Sequence, residues 1–268
     1  MGVVLPDARD DLLDGSNTAA GLFGSLNVGA YLLGTIVVAW LALRSSLVGL
    51  VKVGLVLSTS GLALASFTTR PAVLAVALVI MGLGGAIIWV PVPGIAARQF
   101  PPERRGLATG IAGIGIGVGI VFAGRMAAFV RSGEQDVWQT PYRMELGIAL
   151  IVIASSFVFL RSQGERLSVA GGFGGFGALR QVQVWKALTG ADSAHGFSYI
   201  FVISFTVAGV EDDTGWNSGR AALAFTMIGF AVIAGGLIVG SISDRIGRRL
   251  TMTIAFVSWA VASIGGLT

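Results

Sequence analysis

Residues 240–249 bring four charged side chains together between two long apolar stretches. The segment reads Gly-Ser-Ile-Ser-Asp-Arg-Ile-Gly-Arg-Arg, in which Asp244, Arg245, Arg248 and Arg249 carry the charge. A carboxylate stabilises the positive N-terminal end of a helix, and a guanidinium group stabilises the negative C-terminal end. The segment therefore predicts a tight cytoplasmic turn whose side chains hold helix ends together. For Arg248 and Arg249, anchoring among lipid headgroups is the alternative.

Asp192 and His195 form a second group, because an acid and the single histidine of the chain fall inside one apolar stretch. Three residues apart on a helix, they share a face. Ionisable side chains within a membrane line cavities or relay protons, and the alternative is that both reach the nearby interface. Tyr199 and Asn27 leave two interpretations open, cavity lining or a hydrogen bond between helices, and we favour the hydrogen bond.

The side chains needed for catalysis are scarce. The chain has no Cys and one His, so it offers no thiol nucleophile and no set of histidines with metal-ligand spacing. Residues 171–177 read Gly-Gly-Phe-Gly-Gly-Phe-Gly, but no strand is predicted before them and no Lys follows, so a phosphate-binding loop is not indicated. We predict a protein that is not an enzyme and that uses no metal or cofactor.

The composition indicates that a lipid bilayer surrounds these residues. Hydrophobic residues make up 54% of the 268, charged residues only 12%, and 40 residues are Gly. Globular domains average about 25% charged residues, and membrane helices tolerate Gly well. The net charge of +4 is spread among loops, so nucleic acid is not predicted as a partner.

Eight apolar segments separated by brief polar turns predict an all-α membrane protein. They lie near 19–43, 46–67, 72–97, 106–130, 146–160, 187–209, 219–241 and 251–268. A membrane span takes about 20 residues, so most segments are long enough and the fifth is short. In the third segment, Trp89, Pro91 and Pro93 predict a kink.

Basic residues predict how the segments are oriented. More of the Lys and Arg residues fall in the loops on the side of residues 240–249 than on the opposite side, which makes that side cytoplasmic. The Gly-rich stretch 162–186 is predicted to be a cytoplasmic linker between an N-terminal bundle, 1–161, and a partial C-terminal bundle, 187–268. A shift of 200 residues overlays 19–65 on 219–265, which predicts parallel structural repeats.

Residues 240–249 also carry a resemblance to a known family. The pattern Gly240-x-x-x-Asp244-Arg245-x-Gly247-Arg248-Arg249 resembles the signature loop of the major facilitator superfamily (MFS). Trp138 and Tyr142-Arg143 resemble the turn before the sixth helix of that family, and the general pattern is similar to its YbfB/YjiJ-like branch. The resemblance implies that the eight segments are helices two to nine of a twelve-helix fold, and that residues 1–6 are the last turn of helix one. On this basis the chain is expected to be a fragment.

In the family, the Asp of the signature lies against a neighbouring helix end and its Arg residues pair with carboxylates. The resemblance therefore implies a gating role for Gly240, Asp244, Arg245, Gly247, Arg248 and Arg249. Segment 106–130 has glycines spaced for close helix contact, which permits either static packing or the sliding that alternating access requires. These glycines are Gly106, Gly110, Gly113, Gly115, Gly117 and Gly119, with Gly235, Gly236 and Gly240 expected opposite them. The Gly-Pro pair of family antiporters is absent, so drug–proton antiport is not supported.

The expected function is secondary active transport of a small solute by alternating access, with protons as a candidate coupling ion. The expected location is a bacterial inner membrane, which the chain crosses several times. A truncated membrane protein that does not transport, or a helper subunit that binds a partner, is the alternative.

Overall fold

The computed structural model describes residues 5–42, 44–131, 138–160 and 185–265, and these ranges are helical with short connections. The helices are α1 (Leu5–Leu12), α2 (Asn17–Leu41), α3 (Leu47–Phe67), α4 (Pro71–Trp89), α5 (Val92–Arg98), α6 (Arg105–Arg131), α7 (Thr140–Phe159), α8 (Trp185–Thr214), α9 (Ser218–Ile246) and α10 (Arg248–Gly265), with a 3₁₀ turn at Pro102–Arg104. The predicted all-helical class is confirmed. Residues 162–184 of the predicted linker lie outside the described residues, and Trp185 and Lys186 already belong to α8.

All eight predicted segments contain helix, and six described stretches are long and apolar enough to cross a membrane. These stretches are Asn17–Leu41, Leu47–Phe67, Pro71–Arg98, Pro102–Val130, Thr140–Phe159 and Leu223–Ile246. Helix α10 falls short because Arg248 and Arg249 occupy its first turn. Helix α8 has 30 residues and carries Lys186 and Asp192 in its first half.

The outer surface of the helices carries many exposed apolar side chains. Phe159 on α7 is 80% exposed and Phe129 on α6 is 75% exposed, and many other large apolar side chains are at least half exposed. A water-soluble monomer rarely exposes such an apolar surface over its whole length. The exposed faces of these helices therefore fit a hydrocarbon environment.

The third predicted segment is broken at the position where a kink was expected. Helix α4 ends at Trp89 and α5 begins at Val92, with Pro91 between them. Proline has no backbone N–H and its ring clashes with the carbonyl four residues earlier, so it interrupts the regular hydrogen-bond pattern. The helix is therefore interrupted at Pro91, one of the residues for which the kink was predicted.

The fifth segment is longer than predicted. Helix α7 runs from Thr140 to Phe159, which gives 20 residues, and the expectation of a short helix at 146–160 was wrong. Its first turn is polar, so hydropathy alone misses it. Pro141 is tolerated there because the first N–H groups of a helix have no intrahelical acceptor. Arg143 extends from this turn and its Nε donates a hydrogen bond of 3.0 Å to the Ser66 carbonyl.

The turn predicted at 240–249 is also mostly helical, and this prediction was wrong. Helix α9 continues to Ile246, and a single residue, Gly247, separates it from α10. Gly247 has φ 88° and ψ 151°, a backbone region that essentially only glycine adopts. One glycine is therefore enough to redirect the chain. Similarly, α1 extends to Leu12, whereas a loop was expected after residue 6.

Helix α4 packs between α2 and α3 at close range. A Cβ added to Gly82 would reach the Asn27 carbonyl, and one added to Gly84 would lie 2.6 Å from the Ser58 nitrogen. Leu74 and Leu78 on α4 are almost fully buried in the core beside these contacts. The first three long helices thus form a tightly packed group, against which α7 also packs, chiefly on the side of α3.

Candidate functional site

Asp244 joins two helices that are far apart in the sequence. Its Oδ1 accepts a hydrogen bond of 2.7 Å from the Gly106 N–H, and its Oδ2 accepts one of 2.8 Å from the Leu107 N–H. Gly106 and Leu107 lie in the first turn of α6, whereas Asp244 lies in the last turn of α9. We call this pair of hydrogen bonds the Asp244 cap.

The Asp244 cap supplies hydrogen-bond acceptors to the first N–H groups of α6. The first N–H groups of a helix have no acceptor within the helix, and they carry a partial positive charge. A carboxylate bound to two of them forms charge-assisted hydrogen bonds, which are shorter and stronger than neutral ones. The predicted contact between Asp244 and a helix end is present, although Asp244 provides it from a helix and not from a turn.

Below the Asp244 cap, α6 and α9 run antiparallel with backbones in close contact. A Cβ added to Gly240 would lie 2.7 Å from the Gly106 carbonyl oxygen, and one added to Gly236 would lie 2.9 Å from that of Gly110. Further along, the third glycine pair repeats the arrangement: a Cβ on Gly229 would lie 2.8 Å from the Gly117 carbonyl oxygen. The three pairs, Gly106–Gly240, Gly110–Gly236 and Gly117–Gly229, form what we call the glycine interface.

The glycine interface uses only part of the predicted set. A Cβ on Gly113, Gly115, Gly119 or Gly235 would meet no atom within 4 Å, so these glycines lie outside it. Gly229 was not predicted as a partner. Its signal is in the spacing: residues 106, 110 and 117 are four and seven apart, and 240, 236 and 229 repeat those intervals in reverse. Antiparallel helices bring such reversed intervals into register.

The three signature arginines are placed differently from Asp244. Arg245, Arg248 and Arg249 are all exposed, and within the described ranges none forms an ion pair. Carboxylate partners for these side chains, which the family resemblance implied, are therefore not found in this part of the structure. Their position at the end of α9 and the start of α10 is compatible with the alternative of headgroup anchoring.

Asp192 and His195 lie on α8, but the structure does not join them. Asp192 is exposed, whereas the His195 ring packs edge-on against Trp259 of α10, with centroids 4.7 Å apart. Phe256 and Tyr199 complete the surroundings of the imidazole, with centroids 6.0 and 6.2 Å away. His195 Nδ1 is buried without a hydrogen-bond partner among the described residues. His195 thus packs in an aromatic cluster between α8 and α10.

Asn27 makes the contact that was favoured for it. Its Nδ2 donates a hydrogen bond of 2.8 Å to the Leu78 carbonyl, which joins α2 to α4. The side chain therefore connects two helices at their close approach.

Glu145 was missed as a site residue because its segment was expected to be a loop. The structure places it in α7, on the same face as Ile148, Ala149 and Val152, and this face lines a cavity. The intervals of three, four and seven residues are those of one helical face, and they were present in the sequence. The polar residues around 140–145 concealed them.

These features define a multi-pass helical membrane protein in which two distant helices are held together at one end by a carboxylate. Its residues 1–265 match the family model of the Major Facilitator Superfamily, and the chain belongs to that family. The family consists of transmembrane transporters and is not a family of enzymes. A comparison with curated proteins gave no match.

Proposed function

We propose that the protein works as a secondary transporter that moves a small solute by alternating access, with the Asp244 cap as a gate. The observation that carries this proposal is the pair of short hydrogen bonds from the Asp244 carboxylate to the start of α6. They connect the predicted N-terminal bundle, 1–161, to the predicted C-terminal bundle, 187–268, which the predicted linker at 162–186 separates in the sequence.

The Asp244 cap is suited to a gate because it is strong, local and reversible. Charge-assisted hydrogen bonds hold the α6 start against the α9 end and close this face of the protein. When the two bundles rock apart, water replaces the carboxylate at Gly106 and Leu107, so no backbone group stays unsatisfied. The gate can therefore open at moderate cost.

The glycine interface is suited to the same motion. Its backbones touch at three glycine pairs, and only the third pair has large side chains, Ile233 and Val121, packed against its glycines. Because small residues dominate the contact, one helix can tilt or slide against the other. Alternating access in such transporters is largely rigid-body rocking of one bundle against the other. Gly247 links α9 to α10 at the same end of the protein.

Finer features belong to the same proposal. Proton coupling is supported by the ionisable side chains on α8, Asp192 and His195. A place in the YbfB/YjiJ-like branch and a bacterial inner membrane rest on the general pattern of the sequence. For Arg245, Arg248 and Arg249, we propose a supporting role at the gated face, through contact with lipid headgroups.

Flux in proteoliposomes tests the proposal. Purified protein is reconstituted, and uptake of radiolabelled sugars, amino acids, carboxylates and amines is measured with and without a proton gradient. We expect saturable uptake of one solute class by the native chain, and altered uptake by Asp244→Asn. Absence of uptake and counterflow for all four classes, from protein shown to be folded by its thermal transition, would contradict the proposal.

A further inference from the structure

A cavity of about 690 Å³ lies between α3, α6 and α7, with Ile88 of α4 at its edge. Pockets for small molecules typically have volumes of about 300–1,000 Å³ and are mostly apolar with a few polar groups. The lining fits this description, since apolar side chains and two glycines surround three polar residues, Ser58, Thr59 and Glu145. We call it the Glu145 cavity.

Among the described residues that line the cavity, Glu145 is the single charged one. It lies in the second turn of α7, within a helix that is long and apolar enough to cross the membrane. Charged groups at such positions are costly, and by default they mark a binding or transport function. The described residues that line the cavity include no basic side chain.

The cavity is separate from the Asp244 cap and from the glycine interface. At about 100° per residue, Gly115 lies about 180° around α6 from Gly106, and the other α6 residues of the cavity lie on the same side as Gly115. Gly115 and Gly119 leave open space where side chains would stand, and both line the cavity. These two glycines of the sequence pattern, which the glycine interface does not use, therefore give the cavity its width.

We propose that the Glu145 cavity binds an apolar organic cation, with the Glu145 carboxylate as its counter-ion. The apolar walls remove the hydrocarbon part of the ligand from water, and the carboxylate selects for positive charge. Ser58 and Thr59 on α3 can accept hydrogen bonds from a protonated amine. This site goes beyond the proposed function, because equilibrium binding requires no transport cycle.

Two probes of the same shape and opposite charge test the site. Binding of radiolabelled tetraphenylphosphonium and of tetraphenylborate to the purified protein in detergent is measured by equilibrium dialysis. We expect saturable binding of tetraphenylphosphonium at one site per chain and no saturable binding of tetraphenylborate. Glu145→Gln should weaken tetraphenylphosphonium binding by about tenfold or more, because it removes one partner of a desolvated charge pair.

Matched variants separate loss of the site from loss of the fold. Glu103 is exposed beside α6 and away from the cavity, so Glu103→Gln should bind as the native chain does. Gly119→Leu should fill the cavity and abolish binding, whereas Gly147→Leu, on the exposed opposite face of α7, should not.

Three results would overturn the proposal. They are equal binding of both probes, unchanged affinity in Glu145→Gln, and no saturable binding of tetraphenylphosphonium by folded native protein. Because binding is measured without flux, a failure here leaves the transport experiment unaffected. Conversely, absence of transport does not change the binding result.

Discussion

The Asp244 carboxylate supplies two acceptors that α6 cannot supply to itself. Both of its oxygens are used, one by Gly106 and one by Leu107, at 2.7 and 2.8 Å. A shorter or neutral side chain cannot reproduce this arrangement, because it loses either reach or charge. The contribution of Asp244 is therefore specific to one residue type at one position.

Replacing Asp244 should destabilise the contact between α6 and α9. We expect Asp244→Ala to lower the free energy of unfolding by about 1–3 kcal/mol and Asp244→Asn by somewhat less, because hydrogen bonds to a charged group are lost. Denaturant titration in detergent micelles, followed by tryptophan fluorescence, measures the change. Asp192→Asn is the matched control, since Asp192 is exposed and has no hydrogen bond within the described structure. A smaller change at Asp244 than at Asp192 would contradict the prediction.

Single residues differed in how well the sequence revealed them. Asp244 could be identified because its charge interrupts apolar sequence and its contact depends on a general property of helix ends. Glu145 could not be identified, because it lies beside other polar residues in the sequence and only the structure shows that it lines a cavity. The isolation of Asp192 from His195 was equally hidden, since a shared helix face does not determine which rotamers the two side chains adopt.

At the scale of the element, α6 and α9 pack against each other at glycines, which have no side chain. The glycine interface allows backbones to approach so closely that an added Cβ would lie less than 3.0 Å from a carbonyl oxygen of the partner helix at each pair. Close backbone approach increases dispersion contact, which drives helix association in lipid. The same closeness makes each of the pairs intolerant of any side chain.

Alanine substitution should separate interface glycines from the others on α6. A Cβ on Gly110 would collide with the Gly236 carbonyl, whereas a Cβ on Gly113 would meet open space. We expect Gly110→Ala to destabilise the protein by about 1–3 kcal/mol through overpacking. Gly113→Ala should be neutral or stabilise by up to about 1 kcal/mol, because alanine favours helix. Thermal unfolding in micelles measures both, and a lower transition for Gly113→Ala than for Gly110→Ala would contradict the assignment.

Helices were easier to predict than their ends and partners. Long apolar segments located the elements, because hydropathy reflects membrane burial directly. Their ends at Thr140 and Ile246 were missed, since polar residues continue a helix when capping and packing allow it. Which glycines meet depends on how α6 is rotated against α9, and hydropathy carries little information about rotation.

At the scale of the whole molecule, the Asp244 cap places the connection before α6 and the connection after α9 at the same end of the protein. Arg104 precedes α6 and Arg248 follows α9, so both lie beside the capped helix start. Arg70, between α3 and α4, and Arg220, at the start of α9, lie one helix length away from that end. The positive-inside pattern predicts that the end with Arg104 and Arg248 is cytoplasmic.

Thiol labelling should show Arg104 and Arg248 on one face of the membrane and Arg70 and Arg220 on the other. The chain is well suited to this experiment because it has no Cys. We expect Arg104→Cys and Arg248→Cys to react with a membrane-impermeant maleimide only when the cytoplasmic face is accessible. Arg70→Cys should react from the opposite face, and Arg220→Cys should behave in the same way. Comparison of intact cells with inverted vesicles gives the measurement. Labelling of Arg104→Cys and Arg248→Cys from different faces would refute the arrangement.

Helix α6 has the Glu145 cavity, a hollow, on one side and α9 on the other. If α6 moves away from α9 relative to α3 and α7, the cavity narrows, and if α6 returns, the cavity widens. The volume of the cavity on one side of α6 is thus coupled to the contact with α9 on its other side. By thermodynamic reciprocity, anything that occupies the hollow in only one of these positions must change how firmly the two helices are joined, and their joining must change its affinity to the same degree.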